Sequence, residues 1–339
     1  MRIRYAARTG EGQGEYESPD EPATEALPGR TDESTYEIDR AAVVSEKEDQ
    51  LTLRGGARPE RLVPRAVDGG RAGLDELAEY ADGPDTPAFR PPWLALEHLP
   101  RIRPALIPRL VGAAATHVTT IGESTTAAWP WTTPGKLFMD RPGQSWVGSG
   151  VLVGPRLLLT ASHAVPWGTS DSTIRFVPAY RNGNDPRFGD AYVLSWRGVQ
   201  NTSNVTGLDY VICQLDRRIG DVAGWMGSYR SSDDDFYYDR DWTSVGYPVS
   251  FAGGERPAVE APLRVADIDD DGDGLEIETY KFALGGWSGG PLFGWVDGQP
   301  RVVGIESGYE TDFLDPTRTV FAGGQHLVDL VKYGLANWP

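Results

Sequence analysis

Three residues of this chain have the types and the order for nucleophilic acyl chemistry. They are His163, Asp209 and Ser288, separated by 46 and 79 residues. Ser288 stands in Gly285-Gly286-Trp287-Ser288-Gly289-Gly290-Pro291-Leu292, between glycines and just ahead of a proline that blocks a helix. Glycine at that density permits backbone angles other residues avoid and lets a substrate approach closely. A serine hydroxyl is a weak nucleophile until a base lies within hydrogen-bond reach. Histidine serves as that base near neutral pH. A carboxylate on its far ring nitrogen fixes the tautomer and stabilises the imidazolium. With Ser288 as nucleophile, the amides of Gly286 and Ser288 could face one point, where an oxyanion would form. Each residue alone also has an ordinary reading: a glycine turn around Ser288, a satisfied polar residue at His163, and turn chemistry at Asp209.

These positions fall at the ends of short β-type runs. From about residue 120, apolar runs alternate with Gly, Pro, Asn and Asp. Strands are predicted over 135–139, 146–153, 157–161, 173–178, 191–196 and 210–215. A second set is predicted over 242–247, 261–268, 275–280, 291–296, 302–307 and 317–322, beyond an acidic, aromatic connector near 225–240. Leu275-Glu276-Ile277-Glu278-Thr279-Tyr280 has the period of two of a half-buried strand. Leu327, Leu330, Val331, Gly334, Leu335 and Trp338 fit one face of a terminal helix over about 325–337. The fold class is all-β, barrel or sandwich, with that helix at its end.

Composition narrows the function classes. A net charge of −17 over 339 residues argues against nucleic acid and anionic membranes as partners. The single cysteine, Cys213, forms no intramolecular disulfide and reads as a buried small hydrophobe. The four histidines, His98, His117, His163 and His326, do not cluster with cysteine into a zinc pattern. No apolar run approaches membrane-spanning length. The opening residues lack the apolar core of a secretory signal.

Residues 1–120 differ from the rest. Up to about residue 70 they are rich in Glu, Asp, Pro and Gly, and apolar clusters are few. Leu74, Leu77, Ala78 and Tyr80 give a short amphipathic helix. Residues 91–94 and 101–109 read as extended chain. Trp93, Leu94, Leu96, Leu99, Ile102, Leu106, Ile107 and Leu110 favour docking of this stretch against the following domain. A tail or a pro-segment is expected for 1–120, and a separate domain for 121–339.

The chain resembles the trypsin/chymotrypsin-like serine proteases. The resemblance rests on Gly148-Ser149-Gly150-Val151-Leu152-Val153, Leu159-Thr160-Ala161-Ser162-His163, Asp209-Tyr210-Val211-Ile212, Gly286-Trp287-Ser288-Gly289-Gly290-Pro291 and Val303-Gly304-Ile305-Glu306-Ser307-Gly308. It looks most like the bacterial and fungal branch that includes glutamyl endopeptidases, with Ile121-Gly122-Glu123-Ser124 similar to a mature start. The resemblance implies two six-stranded antiparallel β-barrels, at about 121–225 and 235–325. It implies a secreted, monomeric endopeptidase made as a zymogen, acting on protein or peptide substrates without a required cofactor. It implies a triad of His163, Asp209 and Ser288, an oxyanion hole from the amides of Gly286 and Ser288, and Ser307 supporting Asp209. The backbone of Ser307-Gly308 would pair with substrate as an added strand. Substrate-binding positions would be Phe282, Ala283, Glu306, Ser307 and Gly308.

The chain departs from the pattern at two points. Trp287 stands where trypsin has an Asp that receives a newly freed amino terminus, so that salt bridge cannot form here. Glu306 stands where glutamate-specific relatives carry a histidine, so acidic P1 residues are expected to be disfavoured, unless the side chain points away from the pocket.

Two further motifs have two readings each. Asp267, Asp269, Asp271, Gly272 and Glu278 match the spacing of a calcium loop, but they lie among strands, and an acidic hairpin turn is the favoured reading. Asn201 and Asn204 open glycosylation acceptor triplets. Rival functions are an inactive scaffold and an α/β-hydrolase esterase. The esterase would use the G-x-S-x-G stretch with Asp312 or Asp315 and His326, and it needs a helix after Ser288.

Overall fold

The apolar runs between residues 134 and 215 curl into a closed barrel in the computed structural model. That structure describes residues 43–47, 50–53, 67–71, 74–98, 102–103, 118–169, 171–183, 187–200, 205–271, 274–281, 283–310 and 318–339. Phe282, Gly272, Asn201, Asn204, Asp312, Asp315, His117, Leu99, Leu106, Ile107 and Leu110 lie outside the described residues.

The barrel strands are β1 (Pro134–Arg141), β2 (Gln144–Gly154), β3 (Leu157–Thr160), β4 (Thr173–Pro178), β5 (Ala191–Gly198) and β6 (Val211–Leu215). They pair antiparallel in the order β6-β3-β2-β1-β4-β5, and β5 returns to β6. All six predicted strands of this half are present. Val151, Leu152, Leu157, Leu158, Leu159, Val211 and Ile212 are fully buried in it. Each such side chain stabilises the fold by about 1.5–3 kcal/mol relative to exposure.

The second half is a curved sheet that does not close. Its strands are β7 (Trp242–Gly246), β8 (Ala258–Leu263), β9 (Val265–Asp271), β10 (Gly274–Thr279), β11 (Pro291–Val296), β12 (Gln299–Glu310) and β13 (Arg318–Gly323). The order is β9-β10-β13-β12-β11-β7-β8. The strand predicted over 261–268 is two strands, β8 and β9, interrupted at Arg264. Closure would pair β8 with β9. Instead the free edge of β8 is taken by an antiparallel strand, Val118–Ile121, which in turn pairs with Ile102–Arg103. One apolar cluster spans both halves, with Val245, Phe293 and Ile305 joining the residues of the barrel. Helix α1 (Gln325–Asn337) lays Leu327, Leu330 and Val331 on that cluster.

Residues 74–98 are woven into this body. The predicted helix is a 3₁₀ turn, Leu74–Tyr80, with Leu77 buried and Tyr80 packed edge-on against Tyr333 of α1. Lys332 Nζ donates to the carbonyls of Asp82 and Gly83 at 2.6 and 2.5 Å. Thr86 and Phe89 then bond to the connector at Ser228 and Trp225. Leu94 is buried, and Trp131 Nε1 donates to the Glu97 carbonyl at 2.8 Å. Of the residues expected to dock, Leu94 does so, while Trp93 and Leu96 stay exposed. A further strand, Val67–Arg71, runs parallel to β5.

Candidate active site

β3 ends in Thr160, and a short 3₁₀ turn, Ser162–Ala164, carries His163 at its tip. Two indoles hold that turn: Trp146 Nε1 donates to the Ala164 carbonyl at 2.8 Å, and Trp167 Nε1 to that of Ser162 at 3.0 Å. Asp209 lies just before β6, which pairs with β3, so strand pairing alone sets the two residues side by side. The buried Asp209 carboxylate takes the His163 backbone N–H on Oδ1 at 2.8 Å. Its Oδ2 lies 2.6 Å from His163 Nδ1 and accepts the Ser307 hydroxyl at 2.5 Å. The acceptor at Nδ1 places the proton there and leaves Nε2 of a neutral ring as a base. Burial works to lower the pKa of His163, but the hydrogen bond and charge of Asp209, with a smaller pull from Glu306, outweigh it and raise the value.

Ser288 lies on the loop between β10 and β11 of the other sheet. Its carbonyl accepts the backbone N–H of Ser149 on β2 at 2.9 Å. Gly289 has φ +86°, and a Cβ there would overlap Ser149 O and Thr160 Oγ1. Only a glycine lets the loop lie this close to β2 and to the end of β3. On the far side, Gly289 N–H donates to the Glu306 carbonyl, and Glu306 N–H to that of Gly290, each at 2.9 Å. The Ser288 loop is thereby tied to Ser149 of β2 on one side and to Glu306 of β12 on the other, with the Ser288 side chain half-buried.

The amides along this loop divide into two kinds. Those of Trp287, Gly289 and Gly290 donate to Leu284, Glu306 and Trp287 carbonyls. Among the described residues, those of Gly286 and Ser288 donate to no protein acceptor. Two unpaired N–H groups flanking Trp287 beside a serine hydroxyl can stabilise a developing oxyanion.

The other sequence-predicted positions divide. Ser307 supports Asp209, and Gly308 and the exposed Tyr309 continue along β12. Ala283 is half-buried. Glu306 does not present an open carboxylate: its side chain is 2% exposed, with Oε2 2.6 Å from Lys281 Nζ. Burial pushes the Glu306 carboxyl up, against the pull of Lys281 and His163. Lys281 was not legible as a partner, since nothing in local spacing connects residues 281 and 306. Its ammonium also lies 3.6 Å from the centre of the Trp287 ring. Trp287 is buried and donates its indole N–H to Ser244 Oγ at 3.0 Å.

The helix that an esterase needs after Ser288 is absent among the described residues. Pro291 opens a strand rather than a helix, and His326 lies in α1. In the acidic stretch, β9 and β10 form a hairpin with Asp267 opposite Glu278. Arg318 Nη1 binds both carboxylates, at 2.8 and 2.7 Å. Asp269 pairs across the hairpin with Glu276, and Asp271 with Gly274. No group of metal-binding side chains forms a cluster among the described residues. Burial pushes the Cys213 thiol up, which suits an inert core residue.

Residues 148–305 match the family model described as a trypsin-like peptidase domain. A solved Glu endopeptidase is 18% identical, with 65% of this chain and 97% of that chain covered and a TM-score of 0.50. A thermostable serine protease from an extremophilic microorganism is 17% identical, with 61% and 98% covered and a TM-score of 0.49. A comparison with curated proteins returns no match. At such identity the Glu endopeptidase bears on fold alone.

Proposed function

We propose, from the match of residues 148–305 to a trypsin-like peptidase domain, that this chain is a serine peptidase and that Ser288, His163 and Asp209 are its catalytic residues. Ser288 Oγ attacks the scissile carbonyl while His163 Nε2 takes its proton. The amides of Gly286 and Ser288 bind the oxyanion. His163 returns the proton to the leaving amine as the acyl-enzyme forms, and water then releases the acyl group by the same route in reverse. Asp209 holds the ring orientation and the charge of the imidazolium. The observation that carries this reading is the pair of hydrogen bonds from His163, one from its main-chain N–H and one from Nδ1, to one buried carboxylate.

The substrate is an extended peptide. Beyond Ile305, the edge of β12 turned away from β13 pairs with no strand among the described residues. The backbone of Ser307-Gly308 is therefore open to an added strand. By the family resemblance, Ala283 and Glu306 stand at the positions that line the specificity pocket. Lys281 is committed to Glu306, so an acidic P1 side chain meets no uncompensated cation there and is disfavoured. Basic and apolar P1 side chains fit better.

The test is covalent labelling by a fluorophosphonate. Label is expected on Ser288 in the full chain and absent after His163→Ala. Persistent labelling of another serine would overturn the assignment.

A further inference from the structure

Trp287 removes the salt bridge by which an aspartate at this place orders the loop, so something else must set the oxyanion amides. Ser149 is in position to do so. It is almost fully buried, at 1% exposure, and lies on β2, in the other sheet from Ser288. Its carbonyl accepts Thr160 Oγ1 at 2.7 Å, which fixes its backbone to β3. Its N–H donates to the Ser288 carbonyl at 2.9 Å. Its hydroxyl accepts the Tyr247 N–H at 2.9 Å and lies 2.8 Å from the Gly286 carbonyl. Tyr247 N–H can only donate, and the Gly286 carbonyl can only accept. The hydroxyl proton must therefore point at Gly286.

A second bond works on the preceding peptide. Val249 N–H donates to the Gly285 carbonyl at 3.0 Å. In a planar trans peptide the N–H opposes the C=O, so the Gly286 N–H is turned away from Val249. Gly286 itself has φ +96°, and its Cβ would crowd the Tyr247 carbonyl. The loop is thus held at the carbonyls of Gly285, Gly286 and Ser288, and the amides of Gly286 and Ser288 remain for substrate.

We infer that Ser149 is a positioning residue for the oxyanion loop, setting the Gly286 and Ser288 amides from the opposite sheet without a freed amino terminus. The inference rests on the reading of Ser288 as nucleophile. Ser149 touches no reacting atom. It acts through the Gly286–Trp287 peptide, and misplacing a catalytic group by about 1 Å costs on the order of 10²-fold in rate.

The experiment compares the full chain with Ser149→Ala and with Ser149→Cys, which keeps the side-chain shape with a somewhat larger atom but weakens the donor. Active sites are titrated with the fluorophosphonate, and kcat, KM and affinity for a peptide aldehyde are measured per titrated site. An aldehyde forms a tetrahedral adduct that uses the oxyanion hole, whereas a product peptide does not. The expected result is a fall in kcat of roughly 10- to 100-fold in both variants, less than the roughly 10²–10³-fold lost when an oxyanion donor is removed outright. Aldehyde affinity should fall in parallel, with KM and product-peptide affinity nearly unchanged. A merely structural role would lower the titrated fraction or Tm and leave aldehyde affinity per site intact. That result, or unchanged kcat in a folded Ser149→Cys, overturns the inference. If the unmodified chain takes no label at Ser288, the nucleophile assignment fails and this inference with it.

Discussion

Lys281 Nζ lies 2.6 Å from Glu306 Oε2, with both side chains sealed from solvent directly beneath the Ser288 loop. The pair joins the residues that precede the loop to the strand that follows it. Glu306 also exchanges backbone hydrogen bonds with Gly289 and Gly290, so its position and that of the loop are coupled.

Breaking the pair from one side leaves a buried charge uncompensated. Lys281→Met alone is expected to destabilise the chain by about 3–5 kcal/mol. Lys281→Met with Glu306→Gln should recover most of that loss, because no bare charge remains. Denaturant midpoints measure both. Equal losses in the single and double variants would show that the ion pair is not what matters.

The acidic limb of the rate profile should lie above the ordinary histidine value of 6.5, because Asp209 and Glu306 hold His163 protonated. Activity needs the neutral ring, so rate rises as pH passes upward through that pKa. The stability contribution of the pair has the opposite sense: it is complete below the unfolded histidine pKa and is lost as pH rises through the folded value. In the Lys281→Met, Glu306→Gln variant the limb should move to lower pH. Profiles of kcat/KM for both proteins decide this, and an upward move would contradict the pull of Glu306.

Residues 74–98 should contribute to stability rather than hang as a tail. Leu77→Ala removes a buried side chain between the 3₁₀ turn and the core, and a loss of about 2–5 kcal/mol is expected. A chain beginning at residue 121 should melt below the full chain. Equal melting temperatures would show that these contacts are incidental.

Calcium chelation should leave Tm unchanged. Arg318 already neutralises Asp267 and Glu278, which a calcium loop would need at its first and last positions. A drop of several degrees with a chelator, restored by calcium, would mean the ion displaces Arg318.

The sequence made the barrel and the triad order legible for a common reason. Runs such as Leu157–Thr160 and Val211–Leu215 are apolar, β-prone and bounded by turn residues, and the chemistry sits at their ends. What stayed hidden depends on distant pairing. Pro262 is the one local hint of the break at Arg264, while the strand Val118–Ile121 that takes the edge of β8 lies far away in sequence. The Lys281–Glu306 pair spans residues with no periodic relation. Ser149 sits between two glycines in a family-like motif, yet its hydroxyl's work is visible only once Gly286 and Tyr247 are beside it.

The strand Val118–Ile121 bears on what a cut between Thr120 and Ile121 would produce. That peptide bond lies within a ladder joined to β8 on one side and to Ile102–Arg103 on the other, with the Ile121 side chain buried. Hydrolysis there severs one covalent link and leaves the sheet bonds and the contacts of residues 74–98 in place. The product is a nicked molecule of two chains, which elutes as one species in native buffer and separates into two bands only when denatured.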